Sequence, residues 1–167
     1  MIDIAPADFS DARLLAFLDA HLVDLAPTAP PESRHALAVD GLRGAGVQLW
    51  VAHSGPDVVG TVALAAVDPA ADSDAGSDGP AADPRVEELK SMRTDPARRG
   101  EGIGARLLQF ALEDARSRGV ERIVLETGGA DFFIAARSLY RRAGFSECGP
   151  FGNYRDDPHS VFMELEL

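Results

Sequence analysis

The stretch ELKSMRTDPARRGEGIGARLL, Glu88 to Leu108, decides how the rest of the chain is read. Its first part alternates in the manner of a strand and is closed by the turn pair Asp95-Pro96. An arginine pair, Arg98 and Arg99, follows. Gly100, Gly102 and Gly104 then open the clearest helix in the chain, predicted from Gly102 to Arg118. Ile103, Leu107, Leu108, Ala111, Leu112 and Ala115 share one face of that helix, and Gly119 stops it. Strand, glycine-rich loop and helix together make an anion cradle. Glycine lets backbone approach a bulky ligand, and a helix start offers free N–H groups on the positive end of its dipole. Arginines beside it add charge-assisted contacts to phosphate. The expected ligand is a pyrophosphate carried by a nucleotide or a coenzyme.

Working outward, the chain begins with a short strand around Ile2 to Ala5. Asp8 or Ser10 then caps a helix whose Leu14, Leu15, Phe17, Leu18, Leu22 and Leu25 recur near every 3.6 residues. That helix stops before Pro27. Pro31 and Glu32 suit the first turn of a second helix, ending at Gly41 or Gly44. Two β-rich runs flank Ser54-Gly55-Pro56-Asp57, a hairpin pattern. Residues 68–83 contain only Asp, Pro, Ala, Ser and Gly, which predicts a flexible acidic loop. Beyond the central segment, RIVLET reads as a buried strand, Ala135 to Ala143 as an amphipathic helix, and FSECGPFGNY and SVFMELEL as two further strands. The order β-α-α-β-β-β-α-β-α-β-β describes one domain over 1–167, an α/β mixed sheet with helices on its faces.

The composition narrows the partners. Sixteen basic residues against 27 acidic ones give a net charge of −11, and 46% of the 167 residues are hydrophobic. Such a chain forms a real core, and its acidity argues against nucleic acid or an anionic membrane as partner. Five aspartates of the loop 68–83 supply −5 of that charge, whereas Arg93 to Arg106 carries four arginines against two acids. Basic charge is therefore concentrated where phosphates are expected. A lone cysteine, Cys148, excludes a disulfide framework and reads as a small buried residue. His21, His35, His53 and His159 lack metal-ligand spacing, so no metal is expected; His21 reads as a helix-surface residue. With neither a membrane-length apolar run nor a basic leader at the start, the expected location is cytoplasmic.

Three readings compete for the glycine loop. A Walker loop needs Lys-Ser or Lys-Thr after the glycines, and Ala105-Arg106 stands there. Gly100-x-Gly102-x-x-Ala105 does satisfy the dinucleotide pattern, with Glu126 about 20 residues on. Against it, the preceding strand is polar, Asp95 to Arg99 intervenes, and too little chain follows to finish a doubly wound sheet. The third reading fits best. Arg99-Gly100-Glu101-Gly102-Ile103-Gly104 resembles the coenzyme-A loop Q/R-x-x-G-x-G/A of the GCN5-related N-acetyltransferase (GNAT) superfamily. Leu139-Tyr140-Arg141-Arg142-Ala143-Gly144-Phe145 is similar to that family's L-Y-x-x-x-G-F segment.

The resemblance implies a mostly antiparallel, splayed sheet with helices on both faces, acetyl-CoA as donor, and a primary amine of a small metabolite as acceptor. It implies a cofactor site at Met92, Arg93 and Thr94, whose backbone would pair with the pantetheine arm, and at Arg98, Arg99, Gly100, Glu101, Gly102, Ile103, Gly104 and Ala105. Tyr140 matches the tyrosine that protonates the departing thiolate, and Glu88 stands where some members place a catalytic glutamate. Glu87 points to the opposite face, so at most one of the two faces the cleft. Pro30-Pro31-Glu32-Ser33-x-His35, Leu125-Glu126-Thr127-Gly128 and Pro150-Phe151-Gly152-x-Tyr154-x-x-Asp157-Pro158 are similar to segments of a small-molecule subgroup. They place Glu32, His35 and Glu126 at the acceptor pocket. One departure stands out: Phe133 occupies a position where relatives often carry a coenzyme-contacting Asn. Relatives often dimerise through their last strands, so a homodimer is a further expectation. Two other classes share the pattern, a protein or peptide N-acetyltransferase and a non-catalytic acyl-CoA sensor, with a nicotinamide-binding module as outsider.

Overall fold

The computed structural model describes residues 1–67, 83 and 85–167. The predicted flexible loop 68–83 therefore lies outside the described residues, except for Asp83, which pairs with Arg85 at 3.2 Å. Among the described residues, seven strands form one sheet: β1 (Ile2–Pro6), β2 (Val47–Ser54), β3 (Asp57–Ala66), β4 (Val86–Thr94), β5 (Arg122–Gly128), β6 (Ser146–Cys148) and β7 (Ser160–Glu166). Their order across the sheet is β1-β2-β3-β4-β5-β7-β6. Every neighbouring pair is antiparallel except β4 and β5.

Four α-helices flank the sheet: α1 (Ala12–Leu25), α2 (Val39–Leu42), α3 (Ile103–Ser117) and α4 (Ile134–Arg142). Leu14 and Leu18 of α1 pack with Leu42, Leu49, Val51 and Ala63 on one face. On the other face, the predicted stripe of α3 packs on Trp50, Val62, Leu64 and Leu89, together with Tyr140 of α4 and Phe145. Gly60 permits this contact. A methyl group there would sit 2.7 Å from Leu107 and 2.9 Å from the Arg93 carbonyl. Burying these side chains at roughly 1.5–3 kcal/mol each holds α3 against the sheet and so fixes the loop at its start.

Two local expectations are corrected. The cap of α1 is Asp11, which accepts from the Arg13 N–H at 2.9 Å, while Asp8 accepts from the N–H and hydroxyl of Ser10 in a preceding turn. The second helix is not continuous. Pro31–Ser33 forms a 3-10 turn, Arg34 leaves it in an extended conformation, and only Val39–Leu42 is α-helical. Tertiary contacts outweigh propensity here, because His35 is turned into a cavity and packs edge-on against Tyr154. Among the described residues, no helix is long and apolar enough to cross a membrane.

The feature that positions the site lies in β4. Thr61 pairs with Arg93 and Ala63 with Lys90, so Ser91 and Met92 together oppose Val62 in a β-bulge. Ser91 has a φ of 50° there, and its carbonyl accepts from the Thr61 hydroxyl at 2.9 Å. β4 pairs with β5 only over Val86–Glu88 against Arg122–Val124. Past that point β5 continues to Gly128 on β7, and a cleft opens through the sheet.

Candidate active site

At the glycine-loop end of the cleft, Gly100 and Gly102 have φ of 85° and 78°, and a Cβ at either would meet nothing within 4 Å. These glycines are required by their left-handed backbone, and the space above them is open. Gly102 is the N-cap of α3 and no side chain caps the helix, so the first N–H groups of α3 face that space. Gly104 is there for closeness instead. Its missing side chain brings α3 against Thr94 and Leu139. Ile103 is buried in the core and offers only its backbone, as does Ala105 on the first turn.

The arginines divide. Arg98 is held by Glu101 through two bonds of 2.7 Å. Arg99 lies over the ring of Phe132, 5.8 Å from its centroid. The Arg93 side chain turns away from the loop toward α1. It pairs with Asp24 at 3.0 Å and packs over Phe17, and its buried Nε has no hydrogen-bond partner. Only the backbone of Arg93, together with that of Met92 and Thr94, borders the cleft.

At the other end the cleft runs into a cavity lined by Glu88, Lys90, Met92, Glu126, Tyr140, Tyr154, His21 and His35, among others. Tyr140 reaches it from the α4 face and Glu88 from the α1 face, which is possible because the sheet is open between β4 and β5. Tyr140 is 5% exposed, and burial together with the nearby Glu126 raises the pKa of its hydroxyl. Glu88 is 7% exposed, not the solvated strand glutamate that the type suggests. The Tyr154 hydroxyl donates to Glu88 Oε1 at 2.6 Å. Lys90 Nζ donates to the same oxygen at 2.7 Å and to Tyr154 Oη at 2.8 Å. A closed triangle results, held on one carboxylate oxygen. Glu87, on the opposite face, pairs with Arg118, the residue that ends α3.

Glu126 accepts from Ser160 Oγ at 2.7 Å, and burial raises its pKa above the ordinary carboxylate value. His35 packs edge-on against Tyr154 at 4.9 Å. Glu32 lines a second cavity, which shares His35, Glu88, Lys90 and Tyr154 with the first. The three segments containing Glu32 and His35, Glu126, and Tyr154 thus meet around one space.

Sequence reasoning misses Lys90 and His21. Strand alternation carries the signal for Lys90, two residues beyond Glu88 on the same face. His21 lines the cavity, is largely buried, and has its pKa pushed down to about 4 by burial and by Arg93 behind it. The helical period carries its signal, because His21 stands seven residues after Leu14, three after Leu18 and four before Leu25, within the apolar stripe of α1. Among the described residues, no group of three or more His, Cys, Asp or Glu is placed to hold a metal ion.

A split mixed sheet with an uncapped glycine-loop helix at one end of the split defines an acyl-CoA-dependent acyltransferase class, and comparisons with known proteins agree. Residues 14–145 match the acetyltransferase (GNAT) family. The chain is 36% identical over 160 residues to the uncharacterized N-acetyltransferase YsnE of Bacillus subtilis, spanning 96% of each. It is 36% identical over 164 residues to an IAA acetyltransferase of Azospirillum brasilense, spanning 98% of this chain and 94% of that one. A Bacillus subtilis acetyltransferase solved in complex with CoA shares the fold at a TM-score of 0.62 and 19% identity, covering 100% of this chain and 99% of that one. The chain belongs to the acetyltransferase (GNAT) family and is an acyltransferase.

Proposed function

We propose that this enzyme transfers the acetyl group of acetyl-CoA directly to a primary amine of a small, amino-acid-like metabolite. One observation carries the reading. The cleft that starts at the uncapped end of α3 runs into the cavity lined by Glu88, Glu126 and Tyr140. The donor end fits the coenzyme, because open backbone at Gly100 and Gly102 admits phosphates to the helix N–H groups. The edge of β4 from Met92 to Thr94, unpaired on its β5 side, suits an extended arm added as a strand would be. Acetyl-CoA supplies an activated thioester there. A backbone N–H of the Met92–Thr94 edge polarises its carbonyl.

The chain's side chains then handle two protons. Glu88, with Oε1 held by Tyr154 and Lys90, leaves Oε2 to take a proton from the incoming ammonium. The Tyr140 hydroxyl, kept protonated by its burial, donates to the departing sulfur. Two carboxylates against Lys90 favour a cationic acceptor in the cavity. Two features support a small acceptor. His35 of one covering segment packs edge-on against Tyr154 of the other at 4.9 Å, and the Azospirillum relative is named for IAA. The site residues lie within one chain, the reaction needs neither nucleic acid nor membrane, and an acidic soluble enzyme of this kind would work in the cytoplasm, as monomer or dimer.

Thiol release from acetyl-CoA, followed over a panel of amino acids, polyamines, aromatic amines and basic peptides, tests this. Acceleration by a small amine, with intersecting initial-rate lines, is expected. Turnover on peptides alone, CoA binding without turnover, or recovery of an acetylated Cys148 during turnover would overturn it.

A further inference from the structure

We propose that Phe132 is the platform on which the adenine ring of the donor coenzyme stacks, with Arg99 holding the same nucleotide from the loop side. The inference rests on acetyl-CoA being the donor. Among the described residues, four large hydrophobic side chains are strongly exposed: Met1, Val23, Phe132 and Ile134. Met1 is the first residue, and Val23 stands alone on α1. The other two, 48% and 52% exposed, stand in the short turn Asp131–Phe133 that leads from β5 into α4 and at the first residue of α4, respectively.

That turn is not an arbitrary surface. The Arg99 guanidinium, at the head of the glycine loop, lies 5.8 Å from the centroid of the Phe132 ring. The base of α3 and α4 are also in contact there, because a side chain at Gly104 would meet Leu139 at 3.4 Å. The neighbouring ring, Phe133, turns inward. It lines the cleft cavity and packs against Gly128 so closely that a Cβ there would collide with it. Phe132 and Phe133 meet edge to face at 5.0 Å. One turn therefore presents one phenyl ring to the cleft and the other to solvent beside the phosphate loop.

The position matches the shape of the ligand. Phosphates at the start of α3 and a pantetheine arm in the β4–β5 cleft leave the nucleoside on the outer side of the loop, where Arg99 and Phe132 stand. A flat purine suits an exposed aromatic face, and a guanidinium over that ring is paired with both its π face and the ligand's phosphate charge. The exposed phenyl is satisfied by a π surface and needs no hydrogen-bond complement.

The experiment compares donors with and without the adenylate. Calorimetric titration with CoA and with 4′-phosphopantetheine, and KM values for their acetyl thioesters, are measured for the wild type, Phe132→Ala and Phe132→Trp. Phe132→Ala should weaken CoA about tenfold and leave 4′-phosphopantetheine unchanged, and Phe132→Trp should restore CoA affinity. Equal losses on both ligands, or no loss on CoA, overturn the proposal. Unchanged CoA affinity with a dimer that dissociates on sedimentation also overturns it and assigns the patch to a second copy. A wild-type protein that binds neither ligand would instead remove the acetyl-CoA reading on which the proposal stands. Because Phe132 is exposed, Phe132→Ala should keep the wild-type Tm within a few degrees, which separates loss of a stacking surface from loss of the fold.

Discussion

The two ends of the cleft are built by opposite means. Apart from the stacking surface proposed at Phe132, the donor end is one contiguous segment, residues 92–105, and what it offers is mostly backbone: an unpaired strand edge, two glycines of positive φ and an uncapped helix start. The acceptor end is made of side chains from α1, the 3-10 region, β4, β5 and the loop before β7. A backbone site is specified by where glycines and turns fall, so it tolerates wide change in other side chains. A side-chain site exists only after distant segments pack. Tyr140 stands where the two meet, which makes it the most sensitive test of whether they work as one machine. Tyr140→Phe should lower kcat a hundredfold or more while leaving CoA affinity unchanged, as measured by single-turnover kinetics and titration. Because the pKa of its hydroxyl is raised, Tyr140 should contribute no alkaline limb to the pH profile in the ordinary assay range. A kcat within threefold of wild type would take the acid role away from it.

The same contrast explains what the sequence makes legible. Element order along the chain, the hairpin at Ser54–Asp57, α3 and its loop follow from period, punctuation and glycine placement, all local signals. The break in the second helix does not, because His35 is turned into the cavity against Tyr154, more than a hundred residues away. Lys90 and Tyr154 are 64 residues apart, and their hydrogen bond of 2.8 Å has no trace in either neighbourhood. His21 is a mixed case. Its place between Leu18 and Leu25 on the apolar stripe of α1 marks it as inward-facing, whereas Arg93 behind it comes only with the return of β4.

That histidine gives the next largest expected effect, and it is confined to the acceptor end. The folded state keeps His21 neutral with a pKa near about 4, against 6.5 in the absence of structure. The unfolded chain therefore binds the extra proton between those values. Stability from this group is complete above pH 6.5 and is lost as pH falls toward 4, by on the order of 3 kcal/mol. Denaturant unfolding of wild type and His21→Gln across that range should show a shallower acid slope for the variant. Parallel slopes would mean that His21 is solvated. Coenzyme affinity should follow the same curve in both proteins, since the donor end contains no histidine.

Gly102→Val breaks the donor end alone. The φ of 78° makes a side chain cost roughly 1–3 kcal/mol, with branched Val toward the upper end, while the empty space around the Cβ position adds no clash. The KM for acetyl-CoA should rise about tenfold, because the branched side chain stands where phosphates approach the α3 N–H groups. The KM for the acceptor should be unaffected. A matching rise in both constants would show that the two ends are not separable.

The smallest effect is expected at the triangle of Glu88, Lys90 and Tyr154. Tyr154→Phe removes one donor to Glu88 Oε1 but leaves Lys90 in place, so the carboxylate keeps a partner and its orientation degrades only in part. The acceptor KM should rise about fivefold with the donor KM unchanged, in line with a net worth of about 1 kcal/mol for such a bond. Lys90→Met should give a change of similar size, since Tyr154 then still holds the oxygen. The informative measurement is the double variant. If the two donors fix one oxygen jointly, removing both frees Glu88 to rotate, and the loss should exceed the product of the single losses by severalfold. If Tyr154 and Lys90 are merely two packing neighbours in a crowded wall, the single effects should multiply. Additivity would leave Glu88 unpositioned and would move the specificity of the acceptor end to Glu126 and His35, which lie outside the triangle.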